Sequence, residues 1–375
     1  MKRLIYIWQQ PDWPHLRWDA RALMSSIGQT RLRQGQLISK VTSLGFKEGQ
    51  EAEAEILLQE ALKTAAIEGE KLNPDSVRSS VAKHLGLSLA GLPSTTRPID
   101  GLVEILLDAT THHQKPLTAK RMKAWQAALF PTSFSGLQKI RSGKWRGPAP
   151  MNVVSGPIGR ERIHFKAPPY QKVSTEIKNF LNWWSSSFGK TEGLIRAGIA
   201  HFYFVTIHPF EDGNGRVARA LTDMALAQDD GLIRRYYSFS NQIMSERESY
   251  YDVLERSQKG KVDITEWLLW FLGCLARAIE SSETLIAKTL AKTEFWKRHA
   301  QTPMTHSQRK VTNRLLDAGV EGFEGGLTTR KYTSMTKVSR ATAYRKMSDL
   351  VAKRVLIPNQ GKGRNVSYNL AWSEK

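Results

Sequence analysis

The sequence predicts a mostly α-helical protein, with a long helical body followed by a small C-terminal domain of three helices and a hairpin. Two observations carry that expectation. Apolar residues recur at helical spacing along most of the chain, as in Glu51–Glu68 with Ile56, Leu57, Leu58, Ala61, Leu62 and Ala65. Strand-like stretches are few and short: Arg160–Phe165 inside the Gly- and Pro-rich residues 143–169, then Val355–Ile357 and Val366–Leu370 about a turn at Gly361 and Gly363.

Composition narrows the class. At 375 residues the chain has room for two or three domains and at least one sizeable core. The 41% apolar content and eleven tryptophans argue against disorder. Lys and Arg number 55 against 35 Asp and Glu, a formal net charge of +20. That balance suits nucleic acid or another polyanion as a partner, or else a solvated basic surface. Cys274 is the single cysteine, so no internal disulfide forms, which is compatible with a reducing cytoplasm. Its apolar run is too short to span a bilayer before Arg277, and the N-terminal apolar stretch is too short for a signal peptide. A soluble, cytoplasmic protein with no membrane partner is expected.

In chain order, residues 1 to about 20 (YIWQQPDWPHLRWD within them) read as an extended segment anchored by aromatics. Helical periodicity begins near Ala20, and Gly45 and Gly49 mark a break before the helix Glu51–Glu68. That helix ends Thr64-Ala-Ala-Ile-Glu68-Gly69. Thr64 and Glu68 share a face, and Gly69 is a natural stop. A glutamate at a helix C-terminus opposes the dipole, so helix stability does not explain Glu68. Residues 72–90 form a further helical segment with Pro74 at its first position, 91–101 a turn-rich connector, and 101–113 and 118–129 two helices. His112 and His113 are adjacent and point apart, a poor metal pair. Helices Val173–Phe188 and Thr191–Val205 carry Phe180, Leu181, Trp183, Trp184, Phe202 and Phe204 as core, with His201 structural.

The next stretch, His208-Pro-Phe-Glu-Asp-Gly-Asn-Gly-Arg-Val-Ala-Arg219, carries the chemistry. Pro209, Gly213 and Gly215 make a loop, and helical spacing resumes after Asn214. A glycine-flanked helix start exposes backbone N–H groups and a positive dipole end, which favours phosphate. Arg216 and Arg219, three apart, project from one face and suit an oligophosphate. Asp212 can hold a magnesium ion bridging phosphate oxygens, and His208 can accept a hydroxyl proton near neutrality. The competing reading is a capped and solvated helix end.

The stretch resembles the signature of the Fic family, HPFx[DE]GNGRxxR, and matches at every fixed position. The resemblance implies a helical core with a short β-hairpin flap and transfer of AMP from ATP to a protein hydroxyl. His208 would be the base and Asp212 the Mg2+ ligand. Gly213, Asn214 and Gly215 would form the anion hole, with Arg216 and Arg219 on the phosphates. A family variant that transfers phosphate has lysine where this chain has Gly215, which favours AMP here. The segment holding Arg160–Phe165 has the place of the family's flap, which pairs with the target backbone; His164 within it is given no catalytic role. Thr64, Glu68 and Gly69 match the inhibitory motif [ST]xxxE[GN], whose glutamate pairs with the second signature arginine, here Arg219. Inhibition would then act in cis. Tyr250 and Tyr251 sit where family members have an aromatic pair, near the adenine or in the core.

Helices at 307–318, 328–335 and 339–353 followed by the hairpin resemble a winged helix-turn-helix. Residues 304–375 carry a surplus of roughly ten positive charges, suited to a phosphate backbone. Ser339, Arg340, Thr342, Tyr344 and Arg345 would face the DNA groove, with Lys362 and Arg364 on the wing. A protein-binding winged helix is the alternative.

Together these features describe an ATP- and Mg2+-dependent protein adenylyltransferase, with a target protein and itself as acceptors and DNA as a further partner. The expected domains are 1–100, including the inhibitory helix, then 101–290 and 304–375. Rivals are removal of AMP at the same site and a transcription regulator whose core senses nucleotide. The target, the releasing signal and the oligomeric state are left open.

Overall fold

Helix α7 (Gly193–Ile207) is buried from Leu194 to its last residue, because its apolar residues surround it instead of lining one stripe. The signature helix α8 (Asn214–Asp230) packs along it. These two belong to the first of two units in a computed structural model that describes residues 6–89, 92–155, 162–319, 323–359 and 366–372. The chain divides into two compact units, Met1–Glu283 and Thr284–Lys375. The expected divisions fell near residues 100 and 304; here the first hundred residues share a unit with everything up to Glu283.

In the first unit, α1 (Ala20–Thr42) starts on an Asp19 cap that accepts from Arg21 N and Ala22 N. Helix α2 (Phe46–Ile67) starts earlier than the spacing suggested. Gly45 is its N-cap, while Gly49 lies inside the first turns and does not break them. Helices α3 (Pro74–Leu85), α4 (Arg97–Thr111) and α5 (Ala119–Leu129) follow. With Pro98 in its first turn, α4 opens at Arg97, four residues ahead of the expected start, shortening the connector. Helix α6 (Tyr170–Ser187) precedes α7, and α9 (Phe239–Ser245) and α10 (Arg247–Ser257) follow α8. Residues 265–298 form a single helix, α11 (Thr265–Arg298). Cys274 is buried in it, as its apolar surroundings suggested.

Two antiparallel hairpins lie between α5 and α6. A two-residue pair, β1 (Phe134–Ser135) and β2 (Gln138–Lys139), was not visible in the sequence pattern because its strands are too short to alternate. The second pairs β3 (Asn152–Ser155) with β4 (Arg162–Lys166), with a register shift between Val153 and Val154. The expected strand residues Arg160 and Glu161 lie outside the described residues. The N-terminal aromatics anchor this region. Trp8 Nε1 donates to Lys166 O at 2.7 Å, Trp13 Nε1 to Glu176 Oε2 at 2.9 Å, and Tyr6 meets Phe165 edge-on at 5.3 Å.

The second unit holds α12 (His306–Ala318), α13 (Thr329–Thr336), α14 (Arg340–Ala352) and the hairpin β5 (Leu356–Pro358) with β6 (Tyr368–Leu370). Its core gathers Val311, Leu315, Leu316, Tyr332, Met347 and Leu350. Ser339 caps α14 and accepts from Thr342 N, so both side chains serve the helix start; Arg340, Tyr344 and Arg345 are exposed. Lys362 and Arg364 lie outside the described residues. Among the described residues, no helix is long and apolar enough to cross a membrane.

Candidate active site

His208 closes α7 in a left-handed conformation, with φ at 50°. A non-glycine residue there is strained, and the surroundings hold it. Arg146 Nε donates to His208 O at 2.8 Å, Arg146 N to Pro209 O at 2.8 Å, and its Nη2 to Pro168 O. The Asn214 side chain makes two 2.9 Å bonds to the backbone N and O of Phe210. Glu211 accepts from Arg141 N and Gly147 N at 2.9 and 3.2 Å. The loop is therefore fixed from three sides. Asn214, read from sequence as part of the anion hole, spends its side chain on this task, leaving its backbone N–H for a ligand.

The His208 ring places Nδ1 3.1 Å from Val205 O. A carbonyl can only accept, so the proton of the neutral ring sits on Nδ1 and the Nε2 lone pair is the basic one. Burial pushes the imidazole pKa down and Arg146 adds to this; the Val205 carbonyl, Glu68 and Asp212 oppose it. The net direction is below the ordinary 6.5, so the ring is neutral at physiological pH.

Opposite it begins α8. Gly213 is its N-cap at φ 86°, and the ladder starts with Val217 N to Gly213 O at 3.0 Å. The N–H groups of Asn214, Gly215 and Arg216 precede that ladder, giving an anion nest on the positive dipole end. Arg216 is 9% exposed at its side chain and lies 4.9 Å over the Phe130 ring. Arg219 is buried; its Nε donates to Thr64 Oγ1 at 2.6 Å and its Nη2 to Thr64 O at 3.0 Å and Glu68 Oε1 at 2.7 Å. Two buried nitrogens of this pair, Arg216 Nε and Arg219 Nη1, have no hydrogen-bond partner among the described residues. Unpaired buried guanidinium N–H groups beside a helix start suit an anion of several oxygens.

Asp212 accepts from Ser135 Oγ and from Gly213 N, and stays 39% exposed. Among the described residues no three His, Cys, Asp or Glu side chains gather as a complete metal cage. One accessible carboxylate fits a magnesium ion that takes its other ligands from phosphate and water.

Thr64 and Glu68 meet this surface from the end of α2. Gly69, at φ 83°, closes the helix with N–H bonds from Gly69 to Ala66 O and from Glu70 to Ala65 O, both 3.0 Å. The turn directs the Glu68 carboxylate over the start of α8, so close that a Cβ on Gly215 would lie 2.1 Å from Oε1. Burial alone would raise the Glu68 pKa, but Arg219, with Arg216 and His208, lowers it below 4.5. The carboxylate is thus ionised at neutral pH.

Tyr250 is 3% exposed, its OH 2.9 Å from His201 Nε2, and it packs in an aromatic cluster with Trp267 and Trp270. His201 is fully buried with Thr222 Oγ1 on its other nitrogen; burial first, then Arg219, push its pKa to about 3, fitting a structural role. Tyr251 is 37% exposed, under the Arg247 guanidinium at 5.2 Å.

Arg146 and Glu211 were not singled out by the sequence, since a lone arginine in a loop and a variable motif position carry no spacing signal. Replacing Arg146 by alanine strands the buried Pro168 carbonyl, at about 1–3 kcal/mol, and the partly buried His208 carbonyl at less. A fall in thermal midpoint well beyond that of an exposed Arg→Ala change is expected.

Two family models match the chain. Residues 116–226 match the Fic/DOC family and residues 6–87 a domain of unknown function, DUF4172. A probable protein adenylyltransferase of Aquifex aeolicus is 30% identical over 180 residues, 46% of this chain and 51% of that protein. The protein adenylyltransferase fic-1 of Caenorhabditis elegans is 38% identical over 61 residues, 16% of this chain and 12% of that protein. The chain therefore spans about half the length of the first relative and less of the second. In fold it is similar to a Fic family protein from Desulfovibrio desulfuricans, TM-score 0.54 at 18% identity, over 98% of this chain and 99% of that one. A Fic domain containing signaling protein from Bacteroides thetaiotaomicron gives 0.52 at 16% identity, over 70% and 97%. Residues 116–226 thus match the Fic/DOC family, and the chain is similar in sequence to proteins named as protein adenylyltransferases.

Proposed function

We propose that the chain is an ATP- and magnesium-dependent protein adenylyltransferase of the cytoplasm. It joins AMP to a Ser, Thr or Tyr hydroxyl of a protein, itself included, and Glu68 restrains it in cis. The carrying observation is His208 with Nδ1 at the Val205 carbonyl and its basic Nε2 turned from it, beside two buried arginines that each keep an N–H unpaired among the described residues. His208 takes the proton as the hydroxyl oxygen bonds to the α-phosphorus and pyrophosphate leaves. Arg216, Arg219 and the first N–H groups of α8 hold the phosphates and meet the developing charge. Magnesium, when held by Asp212, supplies positive charge to the phosphate oxygens. The β3–β4 hairpin is the surface for the target backbone, and Tyr251, beside Arg247, for the base. Phosphate transfer is disfavoured because the chain has Gly215 where phosphate-transferring variants of the family it resembles have lysine.

The test is incubation with ATP labelled at the α-phosphorus or at the γ-phosphorus, with magnesium. Protein-bound α label without γ label supports the proposal; γ label alone overturns it.

For the second unit we propose a winged helix that binds DNA through the exposed Arg340, Tyr344 and Arg345 of α14. The full chain should bind duplex DNA in fluorescence anisotropy with affinity falling steeply with salt. Replacing Arg340 and Arg345 by alanine should weaken binding to all sequences and flatten the salt slope by about 1 per phosphate contact. Equal binding by both forms would rule out this face.

A further inference from the structure

The α2 terminus brings a second carboxylate to the site. Glu70 Oε2 lies 3.1 Å from Arg216 Nη1. Glu68 and Glu70 flank the left-handed Gly69, and both reach the α8 start, one to each signature arginine. Nothing in the six-residue pattern Thr64–Gly69 includes Glu70. The terminus is also fastened from the other side, since Arg247 Nε donates to Ile67 O at 3.0 Å.

We propose that Glu70 is a second inhibitory residue, which occupies Arg216 as Glu68 occupies Arg219; this rests on the nucleotide reading above. The two contacts differ in kind. Glu68 pairs with an arginine 1% exposed and lies against the Gly215 backbone. Glu70 is itself 46% exposed and overlies an arginine that is nearly buried. An arriving phosphate replaces Glu70 on Arg216 without moving α2, because only a solvated side chain must swing away. Glu68 cannot leave so easily: its position is set by the helix end. Glu70 therefore competes with every nucleotide that uses Arg216, whereas Glu68 opposes the particular placement needed for transfer. Removing Glu70 should act on nucleotide affinity, and removing Glu68 on turnover.

The measurement is equilibrium dialysis of the full chain against ADP, with binding as the readout. Glu70→Gln should tighten ADP about two- to fivefold, the range of a partly exposed ion pair. The same substitution in an Arg216→Gln background should change nothing, because the partner is gone. Equal gains in both backgrounds would mean a general charge effect and overturn the proposal, as would no gain in the native background. Glu68→Gln and ATP separate the two levels of inference. If no form binds ADP or ATP at millimolar concentration, the nucleotide reading fails. If all forms bind but Glu70→Gln matches the wild type, only the role of Glu70 fails. Among forms that transfer AMP, Glu70→Gln should lower KM for ATP while leaving kcat near its parent value.

Discussion

Replacing His208 by alanine in a Glu68→Gly background should lower α-label incorporation by about 10²–10⁴-fold, the usual worth of a positioned general base. ADP affinity should survive, because the proposed phosphate contacts come from Arg216, Arg219 and α8 rather than the imidazole. A comparable loss of affinity would mean that the ring is a structural part of the nucleotide site. The pH dependence provides a second readout. Transfer needs the neutral ring, and burial holds its pKa below 6.5, so the acid limb of kcat/KM should fall below that pH. Glu68 raises the His208 pKa by its charge, so the limb should lie lower still in Glu68→Gly. Stability runs the same way: the unfolded chain takes up this proton first, so the His208 contribution favours folding above pH 6.5 and is lost as pH falls.

Glu68→Gly should raise self-labelling by about 5–150-fold, the range of a regulatory coupling of 1–3 kcal/mol. The substitution removes one of the two acceptors of Arg219 Nη2, leaving Thr64 O, and clears the carboxylate from above Gly215. Glu68 sits at the C-cap with ordinary negative φ, so glycine is sterically harmless there, and Glu68→Gln serves as the companion that keeps the side chain. Acid does not imitate the mutation at mild pH. The Glu68 carboxyl lies below 4.5, so its ion pair persists from neutrality down to that value and is lost only as pH falls through the depressed pKa. Wild type at pH 5 should remain as restrained as at pH 7. Equal incorporation by wild type and Glu68→Gly would remove the inhibitory role.

The placement of His208, Asp212 and the arginines was legible because one contiguous stretch sets it, with glycines at the positions that need positive φ or close approach. The meeting of Thr64 and Glu68 with Arg219 was legible only through resemblance, since no local rule joins residues some 150 positions apart. Arg146 was illegible for a related reason: its value lies in two carbonyls from distant loops, His208 O and Pro168 O. Helix starts moved where punctuation was read too literally. Gly49 lies within α2, where burial and packing outweigh its low propensity, and Pro98 sits in the first turn of α4 instead of delaying it. Tyr250 shows the limit of residue type, because an aromatic pair does not reveal that one member belongs to His201.

Arg219 has two of its three contacted groups on Thr64, a hydroxyl and a carbonyl of α2 itself. Glu60, one turn earlier, accepts from Ser238 and Ser240 and ties the same helix to α9. The helix that carries the proposed brake is therefore also masonry of the pocket it would close. Excising it would take away the shelf on which Arg219 rests along with the glutamate. Under the proposed restraint one side-chain change would release it, whereas removing the helix would also remove the Thr64 contacts that hold Arg219.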